Sequence, residues 1–391
     1  MEPLPAPAPV HRRRRRATAA GALVAVLLSG CGLRLETPPP AEPVPDSVEI
    51  VRRTAVSDAL YVAEQAESAV QALDGRRARL TTELELVATQ SREQAAELGG
   101  VYDSGLEPEN SDGTPEESPS EAPPVAPQDV VDALVDASGR SRTAAGTTTD
   151  GPLARLLASV GAAQAVSAGR VVDYTDGQVP APVAPVVPEP DPVAADAGGE
   201  DDDGEGDDGA SDDGGTSALS LLAAPSEVDP TPSPSVEEGV SSTVPDSDEP
   251  AVVPRGLTAA DLRTLIESED SAGYALRVRA ARASGDTRER LAERAAAHTA
   301  RGQAWALVAG TSRTDQDPRQ VAYTVPREGK SAAVVRSVEE SLATDYASLV
   351  GTTAPDTRAV LVDLLVESAV TLDAWGAEPV AFPGLPEQQD D

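Results

Sequence analysis

The sequence predicts an all-α protein, because apolar residues recur at helical spacing in two regions and glycines stand where those patterns stop. The C-terminal region has four such stretches and predicts a four-helix bundle, and the N-terminal region predicts a small helical unit. A long acidic and proline-rich segment lies between them. The predicted boundaries are 1–30 for a signal peptide, 31–46 for a proline-rich tether, 47–175 for the helical unit, 176–253 for a disordered linker, 254–386 for the bundle and 387–391 for an acidic tail.

The first 31 residues have the parts of an export signal. A basic run, Arg12 to Arg16, precedes the apolar stretch 17–28, which is too short to cross the ~30 Å core of a bilayer as a helix. Leu28-Ser29-Gly30-Cys31 then places two small residues before the only cysteine. This arrangement resembles the bacterial lipoprotein signal, which implies cleavage before Cys31 and a diacylglyceryl group on its sulfur. The alternative is an ordinary cleaved signal, or an uncleaved anchor with an incidental cysteine.

Charge narrows the possible partners. The formal net charge is −35, so nucleic acid and anionic lipid headgroups repel the chain. We therefore predict no nucleic-acid partner. On the lipoprotein interpretation the membrane is reached through the lipid on Cys31, and the protein lies on the extracytoplasmic face of the cell membrane.

The N-terminal unit is predicted as four helices. Helical periodicity starts at Ser47, breaks at Gly75 and resumes until Gly99-Gly100, which predicts a helical hairpin. A third, short helix is predicted over 128–138, and a fourth starts after Asp150 as its N-cap.

The segment 176–253 has a different composition. Prolines recur in its first part, and Glu200 to Asp213 contains nine acidic residues among Gly, Ala and Ser. Such a segment buries too little apolar surface to offset the entropy of ordering. The acidic run also lacks the ligand spacing of a calcium-binding loop, so we interpret it as a solvated spacer.

The C-terminal unit has its own start and stop signals. Thr258 is a predicted N-cap, and helices are predicted over 258–284, 287–310, 331–351 and 355–376. The long connection 311–330 would join two antiparallel pairs. The apolar tail Ala381 to Pro386 is expected to pack back on the bundle.

Three polar residues fall on stripes that should be apolar: Glu269, His298 and Glu339 align with the core faces of the first three C-terminal helices. Their neighbours Glu267 and Glu340 are predicted to point outward. The three aligned residues are either a metal site, for iron or manganese, or a buried hydrogen-bonded cluster.

A di-iron site of the ferritin type needs a Glu from each of two helices and a Glu-x-x-His from each of the other two. Here Ala295 stands three residues before His298, and the fourth helix offers Ser368 on its stripe and Glu367 at its edge. Val370, three residues after Glu367, cannot bind a metal. The pattern disfavours a di-iron centre and leaves a mononuclear site open.

A family resemblance rests on several short motifs. These are Leu265-Ile266-Glu269 with Tyr274, Ala297-His298 with Trp305, Ala322-Tyr323-Thr324-Val325-Pro326, Val338-Glu339-Glu340 with Tyr346-Ala347, and Phe382-Pro383-Gly384-Leu385-Pro386. Through them, residues 257–386 resemble the ferritin-like domain of actinobacterial lipoproteins of unknown function. Where that family commonly has Glu-His, this chain has Glu269-Asp270, a departure that weakens a metal site. The resemblance implies a ferritin-like four-helix fold and no particular activity.

Motifs for catalysis are missing from the sequence. There is no Gly-x-Ser-x-Gly elbow, no P-loop, no dinucleotide fingerprint and no zinc-type Cys/His spacing. The first hypothesis is therefore a non-catalytic, lipid-anchored protein that binds a protein or a small envelope ligand and needs no cofactor. The alternative is a metal-binding or redox protein that uses Glu269, His298 and Glu339.

Overall fold

The computed structural model describes most of the two regions that the sequence predicts to be helical. The described residues are 43–104, 124–175, 177–179, 184–188, 252–325 and 329–388. The predicted signal peptide, Cys31, nearly all of the tether and almost the whole acidic linker lie outside them. Within the described ranges all regular structure is helical, which confirms the all-α class, and no helix there is both long and apolar enough to cross a bilayer.

Four helices form the N-terminal part. We number them α1 to α4: Ser47–Leu73, Ala78–Glu97, Pro127–Thr147 and Gly151–Val172. The side chain of Asp46 caps α1 by accepting a hydrogen bond from the Glu49 amide at 2.8 Å, and Asp150 caps α4 through the Leu153 amide at 2.8 Å. The reversal between α1 and α2 passes through Asp74 and Gly75, both with positive φ, as the predicted break at Gly75 requires.

Helix α3 is longer than the predicted 128–138 and continues to Thr147. The Ser/Gly/Thr-rich sequence beyond 138 has weak helix propensity. It stays helical because its small side chains face α4. Ser138 donates its hydroxyl hydrogen to the carbonyl of Gly161 at 2.7 Å, a close approach that larger side chains would prevent.

Four further helices form the C-terminal part, as predicted. They are α5 to α8: Ala259–Ala280, Gly285–Val308, Ser331–Thr352 and Ala359–Ala374. Thr258 and Asp261 form a reciprocal capping box at the start of α5. Helix α5 packs mainly on α6 and α7 mainly on α8, and α5 also contacts α7, so the two pairs form a bundle.

The N-terminal and C-terminal helices share one hydrophobic core. Among the described residues, 45–102 and all helices from α3 to α8 belong to a single compact unit. The shared core is centred on α4, which contacts α2 and α3 on one side and α7 and α8 on the other. Where α4 starts, a β-carbon on Gly151 would lie 2.1 Å from the carbonyl oxygen of Gly351, so glycine is required for the backbones to meet.

The C-terminal tail packs back on the bundle. Phe382 and Leu385 are buried, and the tail carbonyls accept hydrogen bonds from the N-terminal helices: Gln94 of α2 donates to Ala381, and Ser159 of α4 donates to Pro383 at 2.7 Å. Gly384 adopts a φ of +77° with its α-carbon against α7. The tail is therefore held by both halves of the fold.

Candidate functional site

The three polar residues singled out from helical periodicity meet inside the bundle. Glu269 lies on α5, His298 on α6 and Glu339 on α7, and each is 0% exposed. The Nδ1 atom of His298 is 2.7 Å from Oε2 of Glu269, and its Nε2 atom is 3.2 Å from Oε1 of Glu339. The imidazole is thus held between two carboxylates.

The outer oxygen of Glu269 also has a partner. The hydroxyl of Tyr346, a fully buried residue of α7, donates a hydrogen bond to Oε1 of Glu269 at 2.5 Å. Burial raises the pKa of Tyr346 well above its usual value, and the negative charge of Glu269 adds to that rise. Tyr346 therefore keeps its proton and remains a donor.

Arg294 closes the network on the other side. Arg294 lies one turn before His298 on α6. It donates two parallel hydrogen bonds to Glu339, from Nε to Oε1 at 2.6 Å and from Nη2 to Oε2 at 2.8 Å. Its remaining nitrogen, Nη1, is 2.7 Å from Oε2 of Glu367 on α8. Arg301, one turn beyond His298, also reaches that oxygen, at 2.6 Å.

The charges in this network balance. We call it the interior ion network, and its members that carry charge are Glu269, Glu339, Glu367, Arg294, His298 and Arg301. Three carboxylates face two guanidinium groups and one imidazole, so the set is neutral when the imidazole is protonated. Neutrality matters here because an uncompensated charge at such depth is costly.

The pKa shifts agree with a protonated His298. Burial alone lowers the pKa of His298, but hydrogen bonds to Glu269 and Glu339 outweigh it and raise the pKa. Burial likewise raises the pKa of Glu339, but hydrogen bonds from His298 and Arg294 reverse this and hold it at about 2. A neutral ring would turn a bare nitrogen toward one of the carboxylates, so both ring nitrogens donate.

The residues present do not fit a ferritin-type metal centre. With both nitrogens of His298 donating and Arg294 bound to both oxygens of Glu339, these groups have no lone pairs directed at a common point. Ala295 and Ser368 are buried where further ligands would be needed. Throughout the described ranges, no group of three or more His, Cys, Asp or Glu side chains is arranged to hold a metal ion.

The sequence pattern indicates the centre of this site but not its arginines. Glu267 and Glu340 were predicted to lie outside the core, and both are at least partly exposed. Arg294 and Arg301 were not singled out, although they share the stripe of His298 at helical spacing. That register is the signal that would have identified them.

Comparison with known proteins finds a family model that matches the C-terminal third of the chain. A model described as a domain of unknown function (DUF4439) matches residues 261–387, which include nearly all of α5, the whole of α6, α7 and α8, the tail and every member of the interior ion network. No curated protein and no solved structure matches the chain. The match places a domain of unknown function at the C-terminal end of the chain and assigns no activity to it.

Proposed function

We propose that this chain is a lipid-anchored protein of the outer face of the cell membrane, whose ferritin-like bundle has a binding role and no catalytic one. Its partner would be a protein or a small ligand of the envelope. The proposal combines the lipobox at Leu28-Ser29-Gly30-Cys31 with the closed interior of the bundle.

The closed interior is the observation that supports a non-catalytic role most strongly. A reaction centre needs an open position next to its acid, base or metal. Around His298 the neighbouring positions are taken by Glu269 and Glu339, and those carboxylates are in turn bonded to Tyr346 and Arg294. The network thus links α5, α6, α7 and α8 and specifies their register.

Fractionation of cells tests the membrane half of the proposal. We expect Cys31→Ser to move the protein from the membrane to the soluble fraction, because the serine hydroxyl cannot form the thioether. Gly30→Ala is the control, since it keeps a small residue before the cysteine and should stay in the membrane. A Cys31→Ser protein that remains membrane-bound would contradict the lipobox interpretation.

Metal analysis tests the second part of the proposal, that the bundle has a binding role and is not a metal-binding or redox centre. The purified chain is incubated with iron(II) or manganese(II), desalted and measured by elemental mass spectrometry. We expect no stoichiometric metal, because the candidate ligands are already bonded to Arg294 and to each other. Stoichiometric metal that disappears in Glu269→Ala, but not in the surface control Glu267→Ala, would establish the metal-binding alternative instead.

A further inference from the structure

A cavity of about 240 Å³ lies between the C-terminal tail and the α7–α8 pair. Its inner wall is apolar, with Val166 of α4, Ala343 of α7, and Ala369 and Leu372 of α8. The tail supplies the opposite wall. A partly enclosed apolar hollow with a few polar groups is the usual form of a small-molecule site.

The charged groups lining this cavity are all acidic, and Thr344 is a neutral polar residue of the lining. Glu340, Asp373 and Glu378 line it, and no lysine or arginine does. Asp373 is already paired with Arg170, whose Nη1 atom is 2.8 Å from Oδ1. The cavity therefore presents two further carboxylates, Glu340 and Glu378, to anything that enters.

These two carboxylates have no cation of their own. Both are exposed, and neither forms an ion pair with any residue in the described ranges. Arg336 stands one turn before Glu340 on α7, a spacing that often gives a pair. It donates instead to the carbonyl oxygen of Trp375 at 2.9 Å.

The wall formed by the tail is fixed in place. Gln90 of α2 donates to the carbonyl of Pro379 at 3.1 Å, and Ser159 of α4 donates to that of Pro383 at 2.7 Å. A β-carbon on Gly384 would lie 2.6 Å from the carbonyl oxygen of Ala343, so the tail and α7 are in close contact. A site held in this way pays little ordering entropy on binding.

We propose that this cavity binds a small organic cation, with an apolar body against α7 and α8 and an ammonium or guanidinium head bonded to Glu340 and Glu378. The apolar part gains by leaving water, and the head gains charge-assisted hydrogen bonds. An inorganic cation would make no use of the apolar wall, and an anion would be repelled. The inference rests on the proposed binding function and names its ligand class at a site separate from the interior ion network.

Isothermal titration with matched probes tests the ligand class. The full chain with Cys31→Ser, prepared without detergent, is titrated with phenethylamine, phenethyl alcohol and phenylacetate, which share an apolar body and differ in charge. We expect the amine to bind at least about tenfold more tightly than the alcohol, because one charge-assisted hydrogen bond contributes that much. Phenylacetate should not bind, and added salt should weaken the binding of the amine.

Variants of the two carboxylates test the location. The double variant Glu340→Gln, Glu378→Gln should abolish the preference for the amine over the alcohol. Both positions are exposed, so the variant should keep its fold, which circular dichroism checks. Glu93→Gln is the control, an exposed α2 carboxylate without an ion pair in the described ranges. The proposal would be overturned if the parent protein bound the amine no more tightly than the alcohol, or if the double variant bound the amine as tightly as the parent does. Neither result would alter the fractionation or the metal analysis, so failure here is distinct from failure of the proposed function.

Discussion

Replacing Arg294 by methionine removes the cation that joins the carboxylates of α7 and α8. Glu339 would lose two hydrogen bonds, at 2.6 and 2.8 Å, and keep only the 3.2 Å contact with His298. Methionine preserves most of the length of the side chain, so the change acts on charge more than on packing. Glu367 keeps its ion pair with Arg301, so Glu339 is the carboxylate that the substitution affects most.

The expected loss follows from the burial of Glu339. Removing one partner of a buried ion pair costs about 3–5 kcal/mol; here Glu339 is 0% exposed and the side chain of Arg294 is 10% exposed. Urea unfolding followed by far-ultraviolet circular dichroism measures it as a lower midpoint with an unchanged m-value. Adding Glu339→Gln to Arg294→Met removes the orphaned charge, so the double variant should recover part of the stability.

A surface pair provides the control. Arg263 pairs with Glu267 on the exposed side of α5, with 65% of the arginine side chain exposed, and Arg263→Met should change stability by less than about 0.5 kcal/mol. If Arg294→Met costs no more than Arg263→Met, the interior ion network does not stabilise the bundle and the reasoning is wrong.

Two further predictions concern pH and helix contact. The pKa of Glu339 is lowered from 4.5 to about 2 in the folded state, so its stabilisation is present above about pH 4.5 and is lost as pH falls toward 2. The pKa of His298 is raised above 6.5 in the folded state, so its stabilisation is complete below about pH 6.5 and is lost as pH rises through the folded-state pKa. Urea midpoints measured across pH should therefore fall at both the acidic and the alkaline end. His298→Gln should lack the fall at the alkaline end. Gly151→Ala places a β-carbon 2.1 Å from the carbonyl of Gly351 and should cost about 1–3 kcal/mol by separating α4 from α7. Gly139→Ala, at an exposed helical position with nothing within 4 Å, should instead stabilise by about 0.5–1 kcal/mol, and the opposite order of these two variants in thermal melts would refute the close contact.

The centre of the site could be predicted from the sequence because helical register is a strong constraint. Glu269, His298 and Glu339 stood out as polar residues on apolar stripes, and nothing local explains them there. Arg294 and Arg301 carry the same register, but long basic side chains are mostly found at the surface and often cover apolar stripes with their stems. Only the three-dimensional arrangement shows that they point inward to Glu339 and Glu367.

The fold was predictable to the extent that local signals decide it. The cap at Thr258 and the break at Gly75 are local and were placed correctly. The predicted end of α3 at residue 138 was wrong, because contact with α4 at Gly161 overrides weak helix propensity. The shared core around α4 depends on contacts distant in sequence, which periodicity does not encode.

The protonation state of His298 is the most direct test of the interior ion network. The only other histidine in the chain is His11, so nitrogen-15 spectra of the labelled imidazoles are simple to assign with a His298→Gln reference. At about pH 6.5, where an ordinary histidine is half protonated, we predict that His298 is mostly an imidazolium with a hydrogen on both nitrogens, because its carboxylate partners raise its pKa. A neutral ring with one bare nitrogen at that pH would contradict the account, because that nitrogen would then be free to accept a proton or a metal.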